Sequence, residues 1–253
     1  MMNRDKLFDN AVALHMQKVM EKQNMEPRYY VIKVYCDKEL YLIDIIDKIY
    51  VDCFEPKRSI NTYYYNKLNG DIDFKKLIDA PTTKQEAEKK KREILSEYFD
   101  DNGVYPKYNQ DKFNEEFIKK FAKYKNNWHN PVEIKKEVLE ELIEEDHIYG
   151  NYIYFHYDEN NNDIIDYVGR SDEGSFQLRI QHRLSPTDKH YKEYNKRGTS
   201  HVTFRIAKNE KEAIEIECLL YHRYGGKARL INDIHPATTE DVKCPISLCE
   251  LYE

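Results

Sequence analysis

Hydrophobic positions change their period along this chain, and each change predicts an element. From about Asn3 to Lys22, Leu7, Val12, Leu14, Met16, Val19 and Met20 recur at roughly helical spacing, which predicts an opening amphipathic helix. Between Arg28 and Cys36, Tyr30, Ile32 and Val34 alternate with other residues as in a strand. The segment from Glu39 to Phe54, rich in Leu, Ile, Val and Tyr, supplies a second strand or another buried element. Thr83 to Phe99 reads as a solvated helix: the charged run from Lys84 to Arg92 is flanked by Ala87, Ile94, Leu95, Tyr98 and Phe99. Phe113 to Lys123 predicts another helix, and Pro131-Val132-Glu133 predicts the first turn of a third, an acidic one.

At Asp146-His147 the helical period gives way to alternation. Gly150 to Tyr157 sets Ile153 and Phe155 on one face and Tyr152, Tyr154 and His156 on the other. The run from Asp158 to Asp163 is turn chemistry, and Ile164 to Gly169 returns as the second strand of a hairpin. A helix is expected from Ser175 to Leu184, then a loop containing Lys189, His190, Lys196 and Arg197. A strand from His201 to Ile206 and a helix from Glu210 to Tyr221 follow. The reading is an α+β protein: a small mixed sheet with flanking helices over residues 147–253, preceded by an α/β-mixed domain rich in helices over residues 1–146.

Composition narrows the class. The chain has 253 residues, 40% hydrophobic and 34% charged, enough apolar material for a core beneath a charged surface. Its 22 tyrosines accompany many Lys, Asn and Ile, the usage of an AT-rich genome as much as selection for stacking. A net charge of -6 excludes a protein coated in positive charge, so any nucleic-acid contact must be a local patch. Such a patch falls between Ser175 and Lys208, where eight Lys and Arg face only Asp188 and Glu193. The five cysteines are scattered, with no CxxC pair and no Cys/His set at zinc spacing, so free thiols in a reducing, cytoplasmic compartment are expected. No apolar run approaches about 18 residues, which predicts no membrane contact by a spanning helix.

Five stretches in order resemble the GIY-YIG nuclease superfamily over about residues 147–235. They are Gly150-Asn151-Tyr152; Tyr167-Val168-Gly169-Arg170-Ser171; the arginine helix at Phe176 to Ile180; the strand at Gly198-Thr199-Ser200-His201-Val202; and Ala213 to Glu217 followed by Asn232. Gly103-Val104-Tyr105 repeats the first triplet without a Tyr-x-Gly partner behind it. The resemblance does not reach the N-terminal part, whose expected role is substrate targeting or partner contact.

The resemblance implies a metal-dependent endonuclease that hydrolyses a DNA phosphodiester and leaves 5′-phosphate and 3′-hydroxyl ends, the DNA being double-stranded or branched in preference to RNA. Glu217 would hold Mg²⁺, with Mn²⁺ as a substitute; a single carboxylate suffices because Mg²⁺ keeps most of its hydration. Tyr152 would be general base or water-orienting group, with Tyr154 as competitor, and Tyr167 would hold the water or phosphate. Arg179 would bind the scissile phosphate, with Arg183 as its rival, because a guanidinium matches paired phosphate oxygens. His182 would assist, Asn232 would brace the site, and Arg170, Arg183 and His201 would contact nucleic acid. The other function class is a nucleic-acid-binding or regulatory protein that keeps this fold without cleaving.

Overall fold

The computed structural model describes residues 27–52, 56–57, 60, 64, 71–144, 147–171, 174–239 and 241–252, the side chain of Ile49 apart. The expected helix at 3–22 lies outside them. The chain forms two compact units, residues 1–95 with 105–111 and residues 96–104 with 112–253. Helices with two separate antiparallel sheets make the class α+β. The change of period at Asp146-His147 therefore falls inside the second unit, between a helix and a strand.

In the first unit, β1 (Tyr29–Cys36) lies between β2 (Glu39–Asp47) and β3 (Ile72–Lys76). Asp37 and Lys38, both at positive φ, close the β1–β2 hairpin with the backbone that matches strand twist. One face buries Tyr30, Ile32, Val34, Leu42 and Ile46. On the edge strand β2, the side chain of Asn109 substitutes for a further strand. Its Oδ1 accepts from Ile43 N–H at 2.9 Å and its Nδ2 donates to Ile43 C=O at 3.0 Å. An amide side chain carries the same donor and acceptor as a peptide group, so the edge is satisfied without a partner strand. Helix α1 (Lys84–Asn102) starts on a reciprocal cap in which Thr83 Oγ1 accepts from Glu86 N–H and Glu86 Oε2 accepts from Thr83 N–H. Helix α2 spans Lys107–Phe121.

The second unit holds a four-stranded sheet in the order β4-β7-β5-β6, antiparallel throughout rather than mixed. Here β4 is Val132–Glu133, β5 Gly150–Tyr157, β6 Asp163–Ser171 and β7 His201–Ile206. Pro131-Val132-Glu133 was expected to open a helix; instead, Val132–Glu133 forms β4. Val132 pairs with Val202, Ile134 N–H continues the contact to Ser200 C=O, and helix α3 begins only at Lys136 and ends at Leu142. Asp166 is an extra residue in β6: Tyr154 pairs with Tyr167 and Phe155 with Ile165, so the strand bulges between them.

Helix α4 (Phe176–Gln181) is capped by Ser175 and runs into a 3₁₀ turn at His182–Leu184. The segment expected as a loop contains α5 (Tyr191–Arg197), which ends at Gly198 with φ 75°. Only Tyr194 of α5 is buried, so its sequence carries no apolar stripe. Helix α6 (Glu210–Arg223) is capped by Asn209. No described helix is long and apolar enough to cross a membrane.

Asn109→Ala should destabilise the first unit by about 1–3 kcal/mol, because Ile43 would keep a buried donor and acceptor without partners. Urea denaturation followed by circular dichroism checks this; an unchanged midpoint would discount the clamp.

Candidate functional site

The sheet of the second unit has two unlike faces, and the candidate residues come from both. On one face Tyr152 and Tyr154 pack with Phe176, Ile180, Tyr194, Val202 and Phe204. Tyr152 stands opposite Gly169, and a Cβ on that glycine would lie 2.4 Å from the Tyr152 ring. A Cβ on Gly150 would lie 2.5 Å from the Phe176 ring. Neither glycine has positive φ, so both are required by the space the rings occupy rather than by backbone conformation.

The opposite face carries a polar row, Arg170, Asn151 and Arg205, aligned across three strands. Each member reaches helix α6: Arg170 pairs with Glu217, Asn151 Nδ2 donates to Ala213 C=O at 2.8 Å, and Arg205 meets Glu212 at 2.6 Å. This row fixes the rotation of the helix and turns Glu217 toward the sheet. Glu215, two residues earlier, points away at about 200° of helical rotation. It is held there by Lys123 at 3.0 Å and by Tyr124.

Two cavities meet where β6 forms the sheet edge. The larger, about 240 Å³, is lined by Tyr167, Arg170, Arg179, Lys189, Glu217 and Asn232 among others. The smaller, about 170 Å³, is lined by Tyr152, Tyr154, Tyr167, Arg179, His182 and Arg183 among others. Tyr167 and Arg179 line both. Eight of the nine expected residues therefore lie around one composite depression, and His201 does not. It sits on β7 beside Phe155 and Tyr157, with its Nδ1 at 2.9 Å from Ser200 Oγ.

The competing assignments separate by environment. Arg183 is buried, donates to Thr199 C=O at 2.6 Å and lies over the Tyr194 ring at 5.0 Å, whereas Arg179 is exposed at the cavity mouth. Tyr154 is buried and its hydroxyl donates to Ile180 C=O at 2.7 Å. The Tyr152 hydroxyl instead hydrogen-bonds with Arg179. Burial pushes the Tyr152 phenol up to about 12, against the lowering influence of Arg179. Tyr152 therefore stays protonated near neutrality. Burial also raises Tyr167 well above the ordinary phenol value. His182 is exposed, with Asp188 at 2.9 Å. Asn232 clamps β6: its Oδ1 accepts from Val168 N–H at 3.1 Å and its Nδ2 donates to Val168 C=O at 2.8 Å.

The donor set near Glu217 suits a hard, hydrated cation in type and in space. Glu217 and Asp233 offer carboxylate oxygen to a cavity large enough for several waters, at about 30 Å³ each. Arg170 already neutralises the Glu217 carboxylate, so a cation there would have to share it or displace the guanidinium.

Three contributions lacked a local sequence signal: the Asn151 anchor, the Arg170–Glu217 pair and the bulge at Asp166. The sequence shows no Cys/His set at zinc spacing, yet the structure brings four such residues together. His222, His235, Cys244 and Cys249 bring their ligand atoms within 4.8 Å of one another, because the fold closes intervals too irregular to read in sequence. No family model matches the chain, and no curated protein or solved structure matches it.

Gly169→Ala should displace the Tyr152 ring and cost about 1–3 kcal/mol through overpacking. A crystal structure of the variant and its melting curve test this; an unmoved ring with unchanged stability would refute it.

Proposed function

We propose that the second unit is a GIY-YIG-type, metal-dependent endonuclease that hydrolyses a DNA phosphodiester. The observation that carries this reading is the convergence of Tyr152, Tyr167, Arg179, Glu217 and Asn232 on adjoining cavities, although 80 positions separate the first from the last. A buried aromatic wall, a guanidinium at its mouth and a carboxylate behind it suit an anionic phosphate whose charge must be neutralised as it reacts.

Arg179 would hold the non-bridging oxygens of the scissile phosphate. Tyr152, protonated and hydrogen-bonded to Arg179, would orient the attacking water through its hydroxyl rather than remove a proton from it. Tyr167 would complete that water's surroundings, and Asn232 would keep β6 in place. The water oxygen forms the new bond to phosphorus as it releases a proton to solvent, the bond to the 3′ oxygen breaks, and that oxygen takes up a proton from solvent and leaves as a hydroxyl. A Mg²⁺ at Glu217, or Mn²⁺ in its place, would supply Lewis-acid stabilisation of the developing charge. Arg179 would supply positive charge at the cavity mouth to the backbone of a double-stranded or branched substrate, and this binding should weaken as salt rises.

The Arg170–Glu217 pair favours a second reading: a protein that binds nucleic acid through this depression without cutting it. A nicking assay on supercoiled plasmid, with Mg²⁺ or with EDTA, separates the two. Glu217→Gln, Tyr152→Phe and Arg179→Ala should each lower the Mg²⁺-dependent rate by about 10²–10³-fold, with folding verified by circular dichroism. Equal nicking by the wild type and Glu217→Gln would overturn the mechanism. DNA retarded in a gel but never cut, across linear, supercoiled, branched and single-stranded substrates, would favour the second reading.

A further inference from the structure

We propose that His222, His235, Cys244 and Cys249 form a closed structural zinc site, which ties the C-terminal segment to helix α6 and to the wall of the larger cavity. The inference stands apart from phosphodiester cleavage, because it rests on other residues and is read through metal content.

The spacing of the ligand atoms is the first argument. His222 Nε2 lies 3.1 Å from His235 Nε2, Cys244 Sγ lies 3.5 Å from His222 Nε2, and Cys249 Sγ lies 3.5 Å from His235 Nε2. An ion with Zn–S of about 2.3 Å and Zn–N of about 2.0–2.1 Å at tetrahedral angles sets its ligand atoms about 3.3–3.8 Å apart. Three of the six separations thus fall close to the edges of such a tetrahedron, and all six lie within 4.8 Å. Their chemistry is the second argument: two imidazoles and two thiols, without a carboxylate, suit zinc and not Mg²⁺ or Ca²⁺.

The surroundings orient these donors toward a common centre. His235 Nδ1 is 2.8 Å from Pro236 C=O, which can only accept, so Nδ1 carries the hydrogen and the neutral ring presents its Nε2 lone pair to the other three atoms. Leu251 N–H points at Cys249 Sγ at 3.4 Å, the contact expected of a thiolate ligand. His222, Cys244 and Cys249 are buried and His235 half-buried, leaving no open position for substrate. His235, Pro236 and Ala237 also line the larger cavity, three to five residues beyond Asn232. A bound ion would therefore hold the wall that follows the Asn232 clamp.

Full-length protein purified under reducing conditions without chelator, or reconstituted with zinc, should carry about one zinc per chain by elemental analysis. Replacement by Co²⁺ should give the visible bands of a tetrahedral site and a thiolate-to-cobalt charge-transfer band. Cys249→Ser and His235→Asn should lose the metal, whereas Cys218→Ser, one helical turn before His222, should keep it. The cobalt spectrum uses the unaltered chain, so the test survives variants that fail to fold. A reconstituted chain with no zinc above background and no thiolate-to-cobalt band overturns the proposal, as does a disulfide that consumes Cys244 or Cys249 in the reduced preparation.

Discussion

The paired hydrogen bonds between the Asn232 side chain and the backbone of Val168 are the contact on which the candidate site depends. Strand β6 is a sheet edge, yet it carries Tyr167 and Arg170, which project from opposite faces and both line the larger cavity. Asn232 stands in for the missing neighbour, and Ile231 N–H adds a bond to the carbonyl of the bulged Asp166 at 2.7 Å. Each neutral bond contributes only about 1 kcal/mol net, but losing a buried partner costs more than making the bond gains. The first unit treats its edge strand β2 in the same way through Asn109 and Ile43. One chemical solution thus serves two sheets that share no strand.

Electrostatics within the site is a matter of local pairing, not of net charge. The basic run between Ser175 and Lys208 does not act as one surface. Arg183 and Arg205 are buried in contacts with Thr199 and Glu212, Arg197 donates to Arg229 C=O, and Lys189 lies 3.2 Å from Asp233. Arg179 remains at the cavity mouth, beside a tyrosine whose burial favours the neutral form. Arg170 pairs with Glu217 beneath helix α6 while still lining the larger cavity.

The elements best legible in the sequence were those whose own pattern fixes them. Strand β7 matches the alternation of His201 to Ile206, and helix α6 follows the stripe of Ala213, Ile216, Leu219 and Leu220. The two-residue strand at Val132–Glu133 was illegible because it exists only by pairing with β7, while Pro131 mimics a helix start. Helix α5 escaped because a single tyrosine anchors it. Within the site, the order of motifs picked out Tyr152, Tyr167 and Glu217, which line the two cavities, whereas the burial that distinguishes Arg183 from the exposed Arg179 has no signal in their spacing. The His/Cys cluster depends on chain return and leaves no regular interval to find.

Gly150 and Gly169 are negative imprints of Phe176 and Tyr152, whereas Gly198 answers to its left-handed backbone. The distinction has a consequence for how related sequences diverge. A left-handed glycine can give way to Asn at modest cost, independently of distant positions. An imprint can be filled only if the ring opposite shrinks, so Gly169 and Tyr152 should vary as a pair or not at all. Filling Gly169 would then remove the tyrosine hydroxyl as well, which makes this small residue a record of whether the aromatic site is still in use.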